Sequence, residues 1–358
     1  MATSTKPPAL TTQPLINSIP ADLAPQFEPT YVEYYNNYSA GRLATHQVPI
    51  KEYRKDPLRY TISYGHEIID DGPLVITEEQ CPVADGTITV RIFQPDEASG
   101  QKPRPVYVNF HGGRWAFGGL ETDNEFCKRL ALELGCMVFD VDYRLAPEHK
   151  FPTAVNDCWA AFNWVRDEKA KSLNLDLEKV SVGGCSAGGH PSAVIAHKCR
   201  DKVIPLAFQL LGVPVCDLHV FDPHGELRGD CPYESYREMY HTVPLPAERM
   251  GFFHNHFLGC PRPEQLDAYP LDWLVSPIKA RDFTGLAPAL ILTAEMDPLR
   301  EEGEAYGKKM NEAGSQAEVI RLKGAPHTCM QMDAILESGK QINRESIRAL
   351  GNTFGKPS

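Results

Sequence analysis

The chain has 358 residues, with 36 Lys and Arg against 47 Asp and Glu, and its net charge of -11 repels the phosphate backbone of nucleic acids. Its hydrophobic fraction of 42% is that of a globular protein with enough apolar material for a core domain and inserted elements. The longest apolar stretch, around Val203 to Val215, is interrupted by Pro205, Gln209 and Pro214, and it is too short to be a transmembrane segment.

The cysteine pattern predicts free thiols. Ten cysteines are scattered without Cys-x-x-Cys spacing, and the first residues lack the apolar segment of a secretion signal. We therefore expect a cytoplasmic protein without a disulfide framework. His241, His254 and His256 lie close in sequence but have no accompanying cysteine or acidic ligand pattern, so no metal site is expected.

The amino-terminal part, residues 1 to about 60, is rich in Pro and Tyr and lacks strand alternation. It is predicted to be an irregular segment with one or two short helices. Alternation begins at residues 87–93, directly after a turn at Asp85-Gly86, which predicts an antiparallel hairpin at the start of a sheet.

After Pro105, short apolar runs alternate with helical segments, as buried parallel strands alternate with crossover helices. The pattern predicts an α/β fold with a mostly parallel, doubly wound sheet. The predicted strands are 106–110, 137–141, 180–183, 204–211, 289–293 and 317–322. The predicted helices are 123–134, 152–169, 186–199, 301–313 and 330–350.

Residues 217–270 interrupt the alternation of predicted strands and helices. They contain Pro, Gly, His and aromatic residues and no clear strand. An insertion at the carboxyl edge of a sheet is well placed to cover a pocket. The predicted organisation is a cap segment at 1–60, a core at 61–216 and 271–358, and a cap insertion at 217–270. Six aromatic residues are candidates either for the lining of this cap or for a satellite core: Phe27, Tyr31, Tyr35, Phe252, Phe253 and Phe257.

The predicted strand 180–183 leads directly into Gly184-Cys185-Ser186-Ala187-Gly188, which has the Gly-x-Ser-x-Gly pattern of a nucleophile elbow. Such a turn is so tight that its flanking positions leave no room for a Cβ atom, and it exposes the serine hydroxyl. A plain glycine-rich turn is the alternative, but the preceding strand and following helix favour Ser186 as a nucleophile.

A second motif, His111-Gly112-Gly113-Arg114-Trp115, directly follows the predicted strand 106–110. Small residues there allow backbone amides to turn toward a pocket and bind an oxyanion. We expect Gly112, Gly113 and Arg114 to form this oxyanion hole together with the amide of Ala187. The alternative is a strand-end turn with a structural histidine.

These two motifs and the intervening Asp142-Tyr143-Arg144-Leu145-Ala146-Pro147-Glu148 resemble the hormone-sensitive lipase family of α/β-hydrolases. Within that family, the sequence is similar to fungal carboxylesterases, some of which serve secondary metabolism. The resemblance implies a Ser-Asp-His triad, an esterase activity on a small-molecule ester without a cofactor, and a lid over the site.

The other two members of the implied triad should follow the serine in the order acid, then histidine. Asp297 lies in the loop after the predicted strand 289–293 and resembles the acid of the family, with Glu295 and Glu301 as local competitors. His327 follows the last predicted strand, where the fold places its general base.

The chain departs from the family pattern near the predicted site. Arg114 stands where the family has a third glycine, and its cation either favours an anionic or polar substrate or points outward and pairs structurally. We expect the outward arrangement. Cys185, His190 and Cys329 also replace the usual residue types, and we predict that Trp115, Cys185 and His190 bind the substrate.

Glu148 and Asp157 are assigned to structural ion pairs rather than to catalysis.

The sequence therefore predicts hydrolysis of a small acyl or aryl ester, or of a lactone, through an acyl-enzyme on Ser186. The competing hypotheses are a lyase or cyclase that uses the same pocket, and a small-molecule binder without catalysis. A homodimer is left open.

Overall fold

An eight-stranded sheet forms the centre of the molecule in a computed structural model, which describes residues 16–60, 65–96 and 102–356. Its spatial order is β1-β2-β4-β3-β5-β6-β7-β8. The strands are β1 (Val75–Val83), β2 (Gly86–Gln94), β3 (Arg104–Phe110), β4 (Met137–Asp142), β5 (Leu175–Cys185), β6 (Phe208–Gly212), β7 (Ala289–Met296) and β8 (Ala317–Pro326). The β1–β2 and β2–β4 pairs are antiparallel, and all later pairs are parallel. The prediction of a mostly parallel α/β sheet opened by a hairpin is confirmed.

The inner strands β3, β4, β6 and β7 are largely buried on both faces, which explains why they appear in the sequence as apolar runs, whereas the edge strand β8 leaves Glu318, Arg321 and Lys323 exposed. Every residue of β3 from Val106 to Phe110 is buried, and so is every residue of β6. The predicted strand 204–211 begins late, at Phe208, because Pro205 has no amide to donate to a neighbouring strand.

Helices cover both faces of the sheet and also build the segments above its carboxyl edge. They are α1 (Pro29–Tyr38), α2 (Ile50–Lys55), α3 (Asn124–Leu134), α4 (Thr153–Trp164), α5 (Ala170–Ser172), α6 (Gly189–Lys202), α7 (Ser235–Glu238), α8 (Ala247–Leu258), α9 (Leu271–Val275), α10 (Arg300–Glu312) and α11 (Glu337–Phe354). A π-helical turn joins α4 to α5, and a single 3₁₀ turn at Ser186–Gly188 precedes α6.

The prediction of one helix over 330–350 is wrong. A 3₁₀ turn at Cys329–Met332 is separated from α11, which begins only at Glu337. The carboxylate of Glu28 accepts the first amides of α11, from Glu337 at 3.0 Å and from Ser338 at 3.2 Å. This cap comes from the distant amino-terminal segment, so the local sequence does not reveal it.

The order of the strands reverses between β3 and β5. β3 is followed on one side by β4, whereas β5 to β8 extend the sheet on the other side. In open α/β sheets, ligands bind at the carboxyl ends of the strands where the order reverses. The turn after β3 and Ser186 after β5 meet at this point.

The amino-terminal segment and the insertion pack against each other above this edge. Ile50, Tyr53, Ala116 and Phe253 form a small buried cluster between them, with Phe252 packed against it. Phe27, Tyr31 and Tyr35 belong instead to a large core cluster that includes residues of β6 to β8, and Phe257 belongs to the other large core cluster, so these four form neither a cap lining nor a satellite core. None of the helices that the structure describes is both long and apolar enough to cross a membrane.

Residues 1–15 of the predicted amino-terminal cap segment lie outside the described residues.

Candidate active site

Ser186 occupies a strained turn between β5 and α6. Its φ of 55° lies in the left-handed region, which non-glycine residues rarely adopt. A Cβ atom on Gly184 would lie 2.1 Å from the carbonyl oxygen of Phe110, and one on Gly188 would lie 1.8 Å from the same atom. Glycine is therefore required on both sides of Ser186, because the end of β3 passes directly against the turn.

His327 connects Ser186 to Asp297. Its Nε2 lies 2.9 Å from Ser186 Oγ, and its Nδ1 lies 2.7 Å from Asp297 Oδ2. Because a carboxylate can only accept, the neutral ring carries its hydrogen on Nδ1 and presents the lone pair of Nε2 to the serine. The structure thus brings together three residues that are far apart in the sequence.

The two competing carboxylates have other partners. Glu295 accepts the amide of Gly324 at 2.7 Å, and Glu301 accepts the amide of Glu234 at 2.6 Å. Asp297 is fully buried and also accepts the amide of Leu299 at 3.1 Å. Of these three acids, Asp297 is the one that contacts His327.

The turn after β3 lies against the serine. A Cβ atom on Gly112 would lie 3.7 Å from the Cβ of Ser186, and φ is positive at Gly113, Arg114 and Trp115. Within the described residues, the amides of Gly112 and Gly113 have no protein acceptor. The turn thus has the features of an oxyanion hole, with the amide of Ala187 next to the serine.

The side chain of His111 stabilises this turn. Its ring is fully buried, stacks on Tyr143 at 4.3 Å between ring centroids, and places Nδ1 2.7 Å from the carbonyl oxygen of Gly112. Burial lowers the pKa of His111 to about 4, so the ring is neutral near pH 7 and donates from Nδ1 to that carbonyl.

A cavity of about 390 Å³ opens in front of Ser186 and His327. This volume fits a small organic ligand. Its apolar walls come from the amino-terminal segment, the β3 turn and the insertion, and include Tyr53, Phe117, Pro244 and Leu245. Polar side chains also line it: His66, Arg114, Glu121, Thr122, Arg249, Thr328 and Gln331.

Two predicted substrate-binding residues do not line this cavity. Trp115 is fully buried, stacks on Phe257 at 4.1 Å and meets the edge of His190 at 5.3 Å. His190 places Nε2 2.9 Å from the carbonyl oxygen of Leu274. The prediction that Trp115 and His190 bind substrate is corrected, because both side chains pack into the core beneath the insertion.

Cys185 does line the cavity. Burial raises the pKa of its thiol well above the ordinary value, so the thiol remains protonated near neutral pH.

The prediction that Arg114 points outward is wrong. Arg114 is only 3% exposed and lines the cavity, and its buried Nε and Nη2 atoms have no hydrogen-bond partner among the described residues. Sequence reasoning also missed Arg249, which reaches the same cavity from α8. No local pattern in the irregular insertion indicates which residues of α8 face the site.

The carboxylates assigned to structural roles have structural partners. Asp157 pairs with Arg144 at 2.7 Å, and Glu148 pairs with Arg54 of the amino-terminal segment at 2.5 Å. Across residues 16–60, 65–96 and 102–356, no group of three or more His, Cys, Asp or Glu is arranged to hold a metal ion.

Comparison with known proteins extends these observations. A family model described as an alpha/beta hydrolase fold matches residues 107–331. An AB hydrolase superfamily protein of Schizosaccharomyces pombe is 31% identical, with 96% of this chain and 99% of that protein covered. A carboxylic ester hydrolase of Mycobacterium tuberculosis is 33% identical over 77% of this chain and 69% of that protein. A structure from a study of two fungal esterases of Rhizomucor miehei superposes with a TM-score of 0.78 at 28% identity, covering 92% of this chain and 97% of that one.

Proposed function

Because the chain belongs to the hormone-sensitive lipase family of α/β-hydrolases, we propose that it hydrolyses carboxylic esters with Ser186 as the nucleophile. The observation that carries this proposal is the position of His327, 2.9 Å from Ser186 Oγ and 2.7 Å from Asp297 Oδ2. The relatives named as esterases support the same reaction class.

In the proposed mechanism, Nε2 of His327 takes the hydroxyl proton as Ser186 Oγ attacks the ester carbonyl carbon. The protonated ring then gives that proton to the leaving alcohol, which departs and leaves an acyl-enzyme on Ser186. A water molecule, deprotonated by the same nitrogen, attacks the acyl carbon. The bond from that carbon to Ser186 Oγ then breaks, the acid is released, and His327 returns the proton to Oγ. Asp297 holds the ring orientation and stabilises its positive form.

The negative oxygen of each tetrahedral intermediate would be held by the amides of Gly113, Arg114 and Ala187, with Gly112 shaping the turn. Each such donor contributes about 3 kcal/mol to stabilisation of the transition state. The proposal is supported by the contact of Gly112 with Ser186 and by the absence of protein acceptors for the Gly112 and Gly113 amides among the described residues.

The substrate is proposed to be a small acyl or aryl ester, or a lactone. A cavity of about 390 Å³ with apolar walls supports a compact organic substrate rather than a long polymer. The proposed reaction uses only protein side chains and water and needs no cofactor. The alternative of a binder without catalysis does not account for a base placed against Ser186, and no specific observation favours a lyase or cyclase.

We also propose that the protein is cytoplasmic. All ten cysteines are free, and nine of them are buried, which supports a reducing compartment such as the cytoplasm. The homodimer remains a prediction.

Hydrolysis of 4-nitrophenyl esters of increasing chain length tests the proposed function. We expect the Ser186→Ala variant to lose at least about 10⁴-fold in kcat. Ser181→Ala is a matched control, because Ser181 lies buried in β5, the strand that leads into Ser186, and its Oγ has no hydrogen-bond partner among the described residues. Retention of full activity by Ser186→Ala, or hydrolysis of no ester by the wild type, would contradict the proposal.

A further inference from the structure

Arg114 is a buried cation without a hydrogen-bond partner in the described part of the chain. This residue is 3% exposed and lines the cavity, and its Nε and Nη2 atoms are buried without an acceptor. Two further buried arginines, Arg262 and Arg300, also have an unpartnered Nε, but each has a counter-charge. Arg262 pairs with Asp267 at 2.9 Å, and Arg300 pairs with Glu238 at 2.6 Å.

The acids near Arg114 are already engaged elsewhere. Glu302 accepts the hydroxyl of Tyr236 and the amide of Cys216, each at 2.7 Å, and Asp297 is held by His327. Burial raises the pKa of Glu302 to about 8. Arg114 forms no hydrogen bond with Glu302 or Asp297, and both carboxyl groups act on its pKa only as charges at longer range.

A second cation lines the same cavity. Arg249 donates from Nη1 to the carbonyl oxygen of Pro244 at 2.7 Å, whereas its buried Nε has no acceptor among the described residues. The acid that lines the cavity, Glu121, is exposed and pairs with Arg91 at 2.8 Å. The lining thus carries an excess of positive charge inside largely apolar walls.

We propose that Arg114 binds an ionised carboxylate of the substrate, and that the preferred substrate is an ester carrying a second, free carboxylate. The inference rests on the proposed function and specifies its substrate class. A guanidinium offers paired donors that match a carboxylate, and this pairing is strong where water is largely excluded. Arg249 adds positive charge to the same site.

The position of Arg114 in the chain explains the geometry of this recognition. Its backbone belongs to the proposed oxyanion hole, so the guanidinium lies within one side-chain length of the position of the scissile carbonyl. The φ of 53° at Arg114 is a conformation that favours glycine, the residue found there in the resembling family. A side chain at this position therefore carries a conformational cost, which a role in binding the substrate would explain.

Two pairs of esters test the proposal, each pair matched in size and different in charge. The first compares the 4-nitrophenyl monoester of adipic acid with 4-nitrophenyl hexanoate, and places the carboxylate on the acyl side. The second compares 4-acetoxybenzoate with its methyl ester, and places it on the alcohol side. We expect wild-type kcat/KM to favour the charged ester of one pair by at least about tenfold, mainly through a lower KM.

The variants separate charge recognition from folding. We expect Arg114→Met to bring the ratio of kcat/KM for the charged ester to kcat/KM for the neutral ester close to one, and Arg114→Lys to restore part of that ratio. Arg228→Met is the control. Arg228 is a cation of the insertion at 217–270, and it pairs with Asp230 at the surface. This control should keep the wild-type preference.

The inference is overturned if the wild type shows no preference in either pair, or if Arg114→Met keeps the preference. Loss of neutral-ester turnover in Arg114→Met and Arg114→Lys alike would also overturn it, since Arg114 would then be structural. In each of these cases wild-type hydrolysis of neutral esters leaves the proposed function standing. Hydrolysis of no ester by the wild type would instead overturn the proposed function and this inference with it.

Discussion

Asp297 is a fully buried carboxylate whose charge is balanced by two specific contacts. One oxygen accepts the amide of Leu299 and the other faces Nδ1 of His327. A carboxylate removed from water is tolerated only where hydrogen bonds replace its hydration. The same contact that satisfies Asp297 also fixes the tautomer of His327, so the stability of the site and its proposed chemistry depend on one hydrogen bond.

We expect Asp297→Asn to lower kcat for a 4-nitrophenyl ester by about 10⁴-fold, because an amide can hold the ring in the wrong tautomer. Glu295→Gln should stay near wild-type activity, because Glu295 contacts the amide of Gly324 and not His327. Steady-state kinetics of both variants provides the test. An equal loss in the two variants would contradict the assignment of the acid.

The Gly-x-Ser-x-Gly motif, the family resemblance and the order of the predicted strands together nominated Ser186, Asp297 and His327 from the sequence. They did not predict the directions of side chains within a turn. Arg114 and Trp115 are neighbours with positive φ, yet one side chain lines the cavity and the other packs in the core. Residue type alone does not distinguish these two outcomes, since both are large and partly apolar.

The turn from β5 into α6 depends on its contact with β3. The carbonyl oxygen of Phe110, the last residue of β3, lies where the Cβ atoms of Gly184 and Gly188 would be. This close approach also sets the distance between Ser186 and the turn at Gly112. Packing between two strand ends therefore positions the serine relative to its proposed oxyanion hole.

Gly188→Ala tests this dependence. A methyl group 1.8 Å from a backbone carbonyl forces the turn to move, so we expect a loss of about 3 kcal/mol in the free energy of unfolding, with loss of esterase activity. Gly229→Ala should change stability by less than about 0.5 kcal/mol, because nothing lies within 4 Å of its added carbon. Urea unfolding measures both, and equal effects would contradict the steric argument.

Short apolar runs identified the inner parallel strands because these strands are largely buried on both faces. The predicted bounds were wrong where the start of a helix depends on a residue far away in the sequence. The helix α11 begins where Glu28 accepts its first amides. The sequence pattern also left α8 unassigned within the insertion, although this helix places Arg249 at the cavity. The insertion packs on itself, as Phe221 does against Tyr236, and also on other segments, as Phe257 does against Trp115.

Folding of the whole molecule buries several histidines in neutral form. Burial lowers the pKa of His197 to about 3, and those of His111, His190 and His254 to about 4. An unfolded chain binds protons at these residues below pH 6.5, whereas the folded chain does not. Each of them therefore contributes stability that is present above pH 6.5 and is lost as the pH falls toward the folded pKa.

His197 allows this to be tested, because its ring is buried against Phe283 and lies near Tyr306. From pH 7 to pH 5, we expect the wild type to lose about 2 kcal/mol of unfolding free energy relative to His197→Phe. The exposed His241 provides the control variant His241→Gln, which should follow the wild type. Identical pH dependence in His197→Phe and the wild type would contradict the burial argument.

The central claim is that the molecule assembles an activated hydroxyl at Ser186 from segments distant in sequence. Reaction with a fluorophosphonate, followed by peptide mass spectrometry, measures this activation most directly. The account predicts a single label on Ser186, none on Ser186→Ala, and labelling of His327→Ala slowed by about 10³-fold. Labelling of another residue, or an unchanged rate in His327→Ala, would contradict it.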